Sequence, residues 1–170
     1  MKIPAHEELL LARCHRQEPE AIQALADLYG KSVYGFIQSI LGNQPEAAKR
    51  LMLDTFIEAV REIAPFNMEE PFMVTIMRKL ISDLGHRFKT EKEAHLLGLD
   101  QRRRMIFSAL SKLSWQEKIL ILLRDQMDFD FDEMEAVLGH SSRILKNQLK
   151  EARLHFRDGL DFLLQKAEHR

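Results

Sequence analysis

Five basic side chains, Arg143, Lys146, Lys150, Arg153 and Arg157, follow one another at steps of three, four, three and four residues. On an α-helix those steps bring all five to one face. A row of guanidinium and ammonium groups is a surface for a polyanion. Each DNA phosphate it neutralises releases condensed counterions and steepens the salt dependence of binding by about 0.9 log units per log unit of salt. Glu151 is the only acid from 142 to 157, whereas Asp125, Asp128, Asp130, Asp132, Glu133 and Glu135 crowd the segment just upstream, so this region divides into an acidic and a basic side. A solvated, salt-bridged surface helix would show the same periodicity. The sequence in front of the basic helix favours DNA. Phe131 to Leu138 forms a short helix, Gly139-His140-Ser141 a turn, and a long helix begins near Ser142. Gly139 can take the left-handed conformation at the end of the first helix, and Ser141 or Ser142 can cap the second. Met134, Val137 and Leu138 can pack against Leu145 and Leu149. This is helix-turn-helix grammar, with the second helix offered to a major groove.

No comparable set of residues points to catalysis. The histidines at 6, 15, 86, 95, 140, 155 and 169 have no metal-binding spacing such as H-E-x-x-H. Cys14 and His15 are adjacent, so on a helix their side chains diverge, and Cys14 is expected to be a buried or half-buried thiol rather than a redox sensor. The seven glycines are scattered and form no phosphate loop. The Asp125–Glu135 cluster lacks the sixth-position glycine of a calcium loop, and the eight methionines suit core filling. The expectation is a protein with no catalytic residues, metal or cofactor.

The elements that must position the cations are helical throughout. Apolar residues recur at helical spacing, and no useful stretch alternates with period two. A first helix is expected over Glu7–Arg16. Pro19 opens a second, with Ala21, Leu25, Leu28, Tyr29, Phe36 and Ile40 as its stripe, ending near Gly42. Pro45 starts a third, carrying Ala48, Leu51, Met52, Thr55, Phe56, Ala59 and Ile63. Ala64-Pro65-Phe66-Asn67 interrupts, and a fourth helix runs from about Pro71 to Arg87 on Phe72, Met73, Ile76, Leu80 and Leu84. Residues 89–104 are charged and poor in apolar side chains, which suggests a linker, in part helical, between domains at 1–88 and 105–170. The second domain is expected to hold helices near Ile106–Leu113, Trp115–Gln126, Phe131–Leu138 and Ser142–Leu164. With 45% hydrophobic and 30% charged residues, ordinary cores are affordable in both. The net charge of −1 means that any DNA-binding field is local. One cysteine, no apolar run near the roughly 20 residues of a membrane span, and a start that leads from Met1–His6 into an amphipathic helix give the expectation of a cytoplasmic protein without membrane insertion.

Taken together, these segments resemble the extracytoplasmic-function sigma factors of bacterial RNA polymerase. Ala109-Leu110-Ser-Lys-Leu113-Ser, Ile119-Leu-Ile-Leu-Leu-Arg124 and Leu138-Gly139…Leu145-Lys146…Leu149…Ala152-Arg153 look like region 4 of that family. Glu8-Leu-Leu-Leu-Ala-Arg13, Ala21…Leu25…Tyr29, Asp54-Thr-Phe56-Ile-Glu-Ala and Phe72…Ile76…Asp83 look like region 2, in the family's order. The resemblance implies an all-α fold of two small domains, a region 2-like bundle and a region 4-like helix-turn-helix. It also implies core RNA polymerase and promoter DNA as partners, with an anti-sigma factor as a further one. Carried over, the −35 element would meet Ser142, Arg143, Lys146, Asn147 and Lys150, with Arg153 and Arg157 nearer phosphates. The −10 element would meet Phe66, Asn67, Arg78, Lys79, His86 and Arg87. Phe66 is equally open to stacking an unpaired base and to plugging the top of its bundle. Polymerase would be met by Arg50, Leu53, Asp54 and Ile57.

The chain departs from the family at several of these positions. Arg50 and Leu53 replace the usual acid and glutamine of the clamp-binding helix. Phe72 and Lys79 stand where the fourth helix normally has tryptophan and asparagine. Ile144, Gln148 and Glu151 replace a threonine and two arginines, and Glu135 occupies a position that is commonly small. Two rival readings follow: a sigma-like decoy that captures an anti-sigma factor without starting transcription, and an unrelated helix-turn-helix regulator.

Overall fold

The structure, a computed structural model, describes residues 5–42, 44–62, 70–88 and 100–168. Among them are eight α-helices and no strand: α1 (Ala5–His15), α2 (Pro19–Leu41), α3 (Pro45–Glu62), α4 (Phe72–Phe88), α5 (Gln101–Ser111), α6 (Trp115–Ile121), α7 (Phe131–Leu138) and α8 (Ser142–Glu168). None of the described helices is long and apolar enough to cross a membrane.

The first four helices form one bundle. Proline at the first position of α2 lacks only an N–H that would have been orphaned anyway. Gly42 ends that helix at φ 71°, its N–H donating to the Gln38 carbonyl at 2.9 Å. Ala21, Leu25, Val33, Phe36, Ile37 and Ile40 of α2 are buried against Ala48, Leu51, Thr55, Phe56 and Ala59 of α3. Leu28, expected in this stripe, is exposed instead, because the buried arc runs through Leu25, Gly30 and Val33 and leaves position 28 outside it. Ile63 and the interruption at 64–67 lie outside the described residues. On α4, Phe72, Ile76, Leu80 and Leu84 are buried as expected, with Val74 and Met77 widening the stripe.

A buried carboxylate ties α1 to this bundle. Glu7, 1% exposed, accepts from the backbone N–H of Phe72 at 3.0 Å and from the hydroxyl of Tyr29. It thereby satisfies a donor at the start of α4 that would otherwise be orphaned. Burial, and then the neighbouring Glu7, pushes the Tyr29 hydroxyl well above its ordinary value. Phe72 packs its ring 5.8 Å from Tyr29 and 6.4 Å from Phe56. Cys14 is buried, as expected, and burial raises its thiol above the usual value.

In the second half, α8 runs beside α5, α6 and α7. Helix α5 starts four residues earlier than the expected domain boundary, inside the stretch assigned to the linker. The side chain of Asp100 accepts from the Arg103 N–H at 2.9 Å and caps it there. Residues 89–99 of that stretch lie outside the described residues. Ser114 and Glu117 form a reciprocal capping box on α6. The helix expected through Gln126 changes hand-over at Ile121. Residues Leu122–Gln126 form a π-helical turn, with the Met127 N–H reaching back to the Leu122 carbonyl at 3.0 Å and Asp128 at φ 57°.

The two halves share one apolar core. Arg78 of α4 donates to the Ala136 carbonyl of α7 from Nε (3.2 Å) and Nη2 (2.8 Å). Ser39 Oγ of α2 meets Gln126 Oε1 at 2.8 Å. Gly85 of α4 lies against the Trp115 ring, and a Cβ added there would sit 3.6 Å from its nearest atom, an ordinary van der Waals contact.

Candidate nucleic-acid interface

Helix α7 is fixed at its start by a second capping box. Asp130 Oδ1 accepts from the Glu133 N–H at 2.8 Å, and Glu133 Oε2 accepts from the Asp130 N–H at 2.8 Å. Its end is fixed by Gly139, which takes the left-handed conformation (φ 69°, ψ 17°) and donates its N–H to the Glu135 carbonyl at 2.8 Å. Helix α8 then begins at Ser142, and its N-terminus is satisfied from an unexpected side. Glu135 Oε2 accepts from the Ser142 N–H at 2.9 Å and from its hydroxyl at 2.7 Å. Those bonds, the hydroxyl's first, hold the Glu135 carboxyl below the usual carboxylate range. Met134 and Val137 pack with Leu145, Leu149 and Ala152, which form the buried side of α8.

The opposite side carries the cations. Arg143, Lys146, Asn147, Lys150, Arg153 and Arg157 are all exposed, while Ser142 is half-buried. Lys146 Nζ stands 5.2 Å from the centroid of the Phe131 ring, which also receives Arg124 at 5.4 Å; both are cation–π distances. Arg153 is engaged in an ion pair with Asp125, its Nε 3.0 Å from Oδ2 and its Nη2 on Oδ1. Arg157 lies 3.4 Å from its neighbour Asp158.

Asp125, Asp128, Asp130, Asp132 and Glu135 of the acidic segment are exposed, and several acids there also hold helix ends or a cation. Asp130 and Glu133 cap α7, Glu135 caps α8, and Asp125 pairs with a cation of the basic row. The expected acidic stretch thus also has a capping role, and Asp125–Arg153 is an ion pair between it and the basic row. A further cross-element contact ties α8 to α6, the His155 Nδ1 lying on Glu117 Oε1. Lys118 is also buried in this domain, where burial pulls its ammonium below its usual value.

The −10-like residues are arranged differently. Arg78 is clamped by Glu70, with Nη1–Oε1 and Nη2–Oε2 both at 2.7 Å, in addition to Ala136. Lys79 lies between two acids of α3, 3.0 Å from Glu58 and 2.5 Å from Glu62. Both cations have pKa values raised by these carboxylates, chiefly through the hydrogen bonds to Glu70 and to Glu62. Phe66 and Asn67 lie outside the described residues, as do the side chains of His86 and Arg87 in the last turns of α4.

The residues expected to meet polymerase share the outer side of α3. Arg50 and Asp54 are a loose 4.0 Å pair, and Leu53 and Ile57 are 55% and 50% exposed. Those two leucine and isoleucine side chains, with Ile22, Leu25, Met52 and Phe56, line an apolar groove of about 480 Å³ between α2 and α3.

With this geometry in view, the comparisons with known proteins bear on the fold. No protein-family model and no curated protein matches the chain. Solved structures do. The chain is similar to CnrH, seen in complex with the cytosolic domain of CnrY, at 20% identity and TM-score 0.77 over 91% of this chain and 97% of that one. It is also similar to the sigma factor RpoE, seen with the anti-sigma factor NepR from Bartonella quintana, at 18% identity and TM-score 0.62 over 82% and 96%. The chain has the all-helical, two-domain fold of the extracytoplasmic-function sigma factors.

Sequence reasoning missed Glu135, Asp125, Glu70, Glu58 and Glu62 as partners of functional candidates. Only Glu135 carried a signal, being a charged residue at a position the resembled family keeps small.

Proposed function

We propose that the chain is a sigma-like transcription initiation factor that brings core RNA polymerase to promoter DNA through α8. One observation carries the reading. Arg143, Lys146, Asn147 and Lys150 stand exposed on the first turns of a helix whose other side is buried, directly after a tight left-handed glycine turn. That is the geometry by which a recognition helix enters a major groove, where arginine and lysine suit guanine and asparagine suits adenine. Arg157 extends the basic row toward the phosphate backbone, and Arg153 can join once it exchanges Asp125 for a phosphate. The exposed apolar side of α3 would receive the polymerase.

The test is run-off transcription with core polymerase on a genomic fragment library, followed by DNA binding to whichever promoter is recovered. Arg143→Ala and Lys146→Ala should each weaken promoter binding by about 1–3 kcal/mol if they read bases. Unchanged affinity and unchanged transcript yield in both variants would remove α8 from the interface.

A second reading has its own support. Arg50 sits on the outer side of α3, and the −10-like cations Arg78 and Lys79 are already neutralised by Glu70, Glu58 and Glu62. A sigma-like decoy that binds an anti-sigma factor, as RpoE binds NepR, would have no use for polymerase contacts. Co-elution with core polymerase on a sizing column separates the two, since the decoy would elute alone.

A further inference from the structure

The N-terminus of α8 is already filled by a negative charge. Its first turn contains no acid of its own, so the carboxylate there is brought in by Glu135, from the last turns of α7. A helix N-terminus concentrates unpaired N–H donors and about half a positive charge. In a DNA-contacting helix it is a ready seat for a backbone phosphate. Here Glu135 Oε2 holds both the N–H and the hydroxyl of Ser142, at 2.9 and 2.7 Å. A phosphate reaching for those donors would have to displace the carboxylate and lie beside a like charge. Further along the helix, Asp125 restrains Arg153 in the same manner.

We propose that Glu135 is a specificity-setting residue, an internal stand-in for phosphate at the head of the recognition helix. It lowers sequence-independent affinity and leaves binding to depend on base contacts by Arg143, Lys146 and Asn147. The inference rests on the reading of α8 as the DNA-contacting helix. Its physical basis is that phosphate contacts supply essentially all non-specific binding, so removing one seat lowers the background without touching a base reader. It also gives the glutamate a second duty besides capping, and the two can be separated. Glutamine keeps a side-chain oxygen that accepts from Ser142 but carries no charge, whereas alanine removes both.

The experiment measures binding of the full chain to a mixed-sequence DNA duplex over a series of salt concentrations, for wild type, Glu135→Gln, Glu135→Ala and Lys146→Ala. Glu135→Gln should bind about threefold to fivefold more tightly at low salt. Its slope of log affinity against log salt should be steeper by about 0.9 as a phosphate displaces the now uncharged side chain from the Ser142 donors. Its melting temperature should stay close to wild type. Glu135→Ala should tighten binding similarly while melting earlier, which a purely structural cap could not produce. If Lys146→Ala weakens binding but Glu135→Gln leaves both affinity and slope unchanged, the inference is overturned and the DNA reading of α8 stands. If no form of the protein binds the duplex at any salt concentration, that reading falls and takes the inference with it.

Discussion

The His155 imidazole lies on Glu117, the residue that closes the capping box of α6, so this contact joins α8 to the start of its neighbour. The hydrogen bond and the charge of Glu117 raise the pKa of His155 above its ordinary value, while Ser114 first, and then His155, depress that of Glu117. A raised histidine contributes stability that is complete below its unfolded pKa, about 6.5, and is lost as pH climbs through its folded one. A depressed carboxylate contributes above its unfolded pKa and loses that as pH falls through its folded one. The pair is therefore worth most at mildly acidic pH. The melting temperatures of wild type and His155→Gln should differ there and converge above neutrality; a gap that stays constant with pH would exclude the pair as its source. At this scale the sequence is legible only in part. The five cations could be read because they share one helix and its fixed spacing. Their partners could not, since Asp125 and Arg153 are 28 positions apart and nothing local records that the fold brings them together.

Helix ends were legible where local chemistry decides them and obscure where tertiary contacts do. Gly139 is the clearest case. A Cβ added there would meet nothing within 4 Å, yet its φ of 69° is left-handed. Gly139→Ala should therefore destabilise through backbone strain alone, by about 1–2 kcal/mol. Gly139→Asn should cost less, because asparagine tolerates that conformation. Urea denaturation compares the two, and equal losses would point to packing instead. Asp130→Ala should cost about 1 kcal/mol by removing an N-cap, read in the same assay. Proline, glycine and the apolar period gave the eight helices, but three features escaped. Leu28 follows the helical period of α2 yet falls just off its buried arc. Asp100 caps α5 inside a stretch whose composition looks like a linker. The π-helical turn at Leu122–Gln126 is written in apolar residues that fit an ordinary helix equally well.

For the molecule as a whole, composition and charge suggested two bodies joined by a linker, and among the described residues the two halves share one apolar core. The contact could not be foreseen because its polar part joins residues far apart in sequence, Arg78 to the main-chain carbonyl of Ala136 and Ser39 to Gln126. Arg78→Ala should loosen the two halves, measured as a larger radius of gyration in solution scattering. Lys79→Ala, whose partners Glu58 and Glu62 lie within the first half, should leave the radius unchanged. A compact Arg78→Ala protein would show that the shared apolar core, with Trp115 packed on α4, suffices.

The clasp made by Arg78 has a thermodynamic corollary. One guanidinium cannot hold Glu70 and Ala136 and also neutralise a nucleic-acid strand. Any ligand that needs this side chain is linked to the opening equilibrium, its apparent affinity reduced by the fraction of molecules that are closed. By reciprocity, such a ligand would drive the halves apart as strongly as their closure disfavours it.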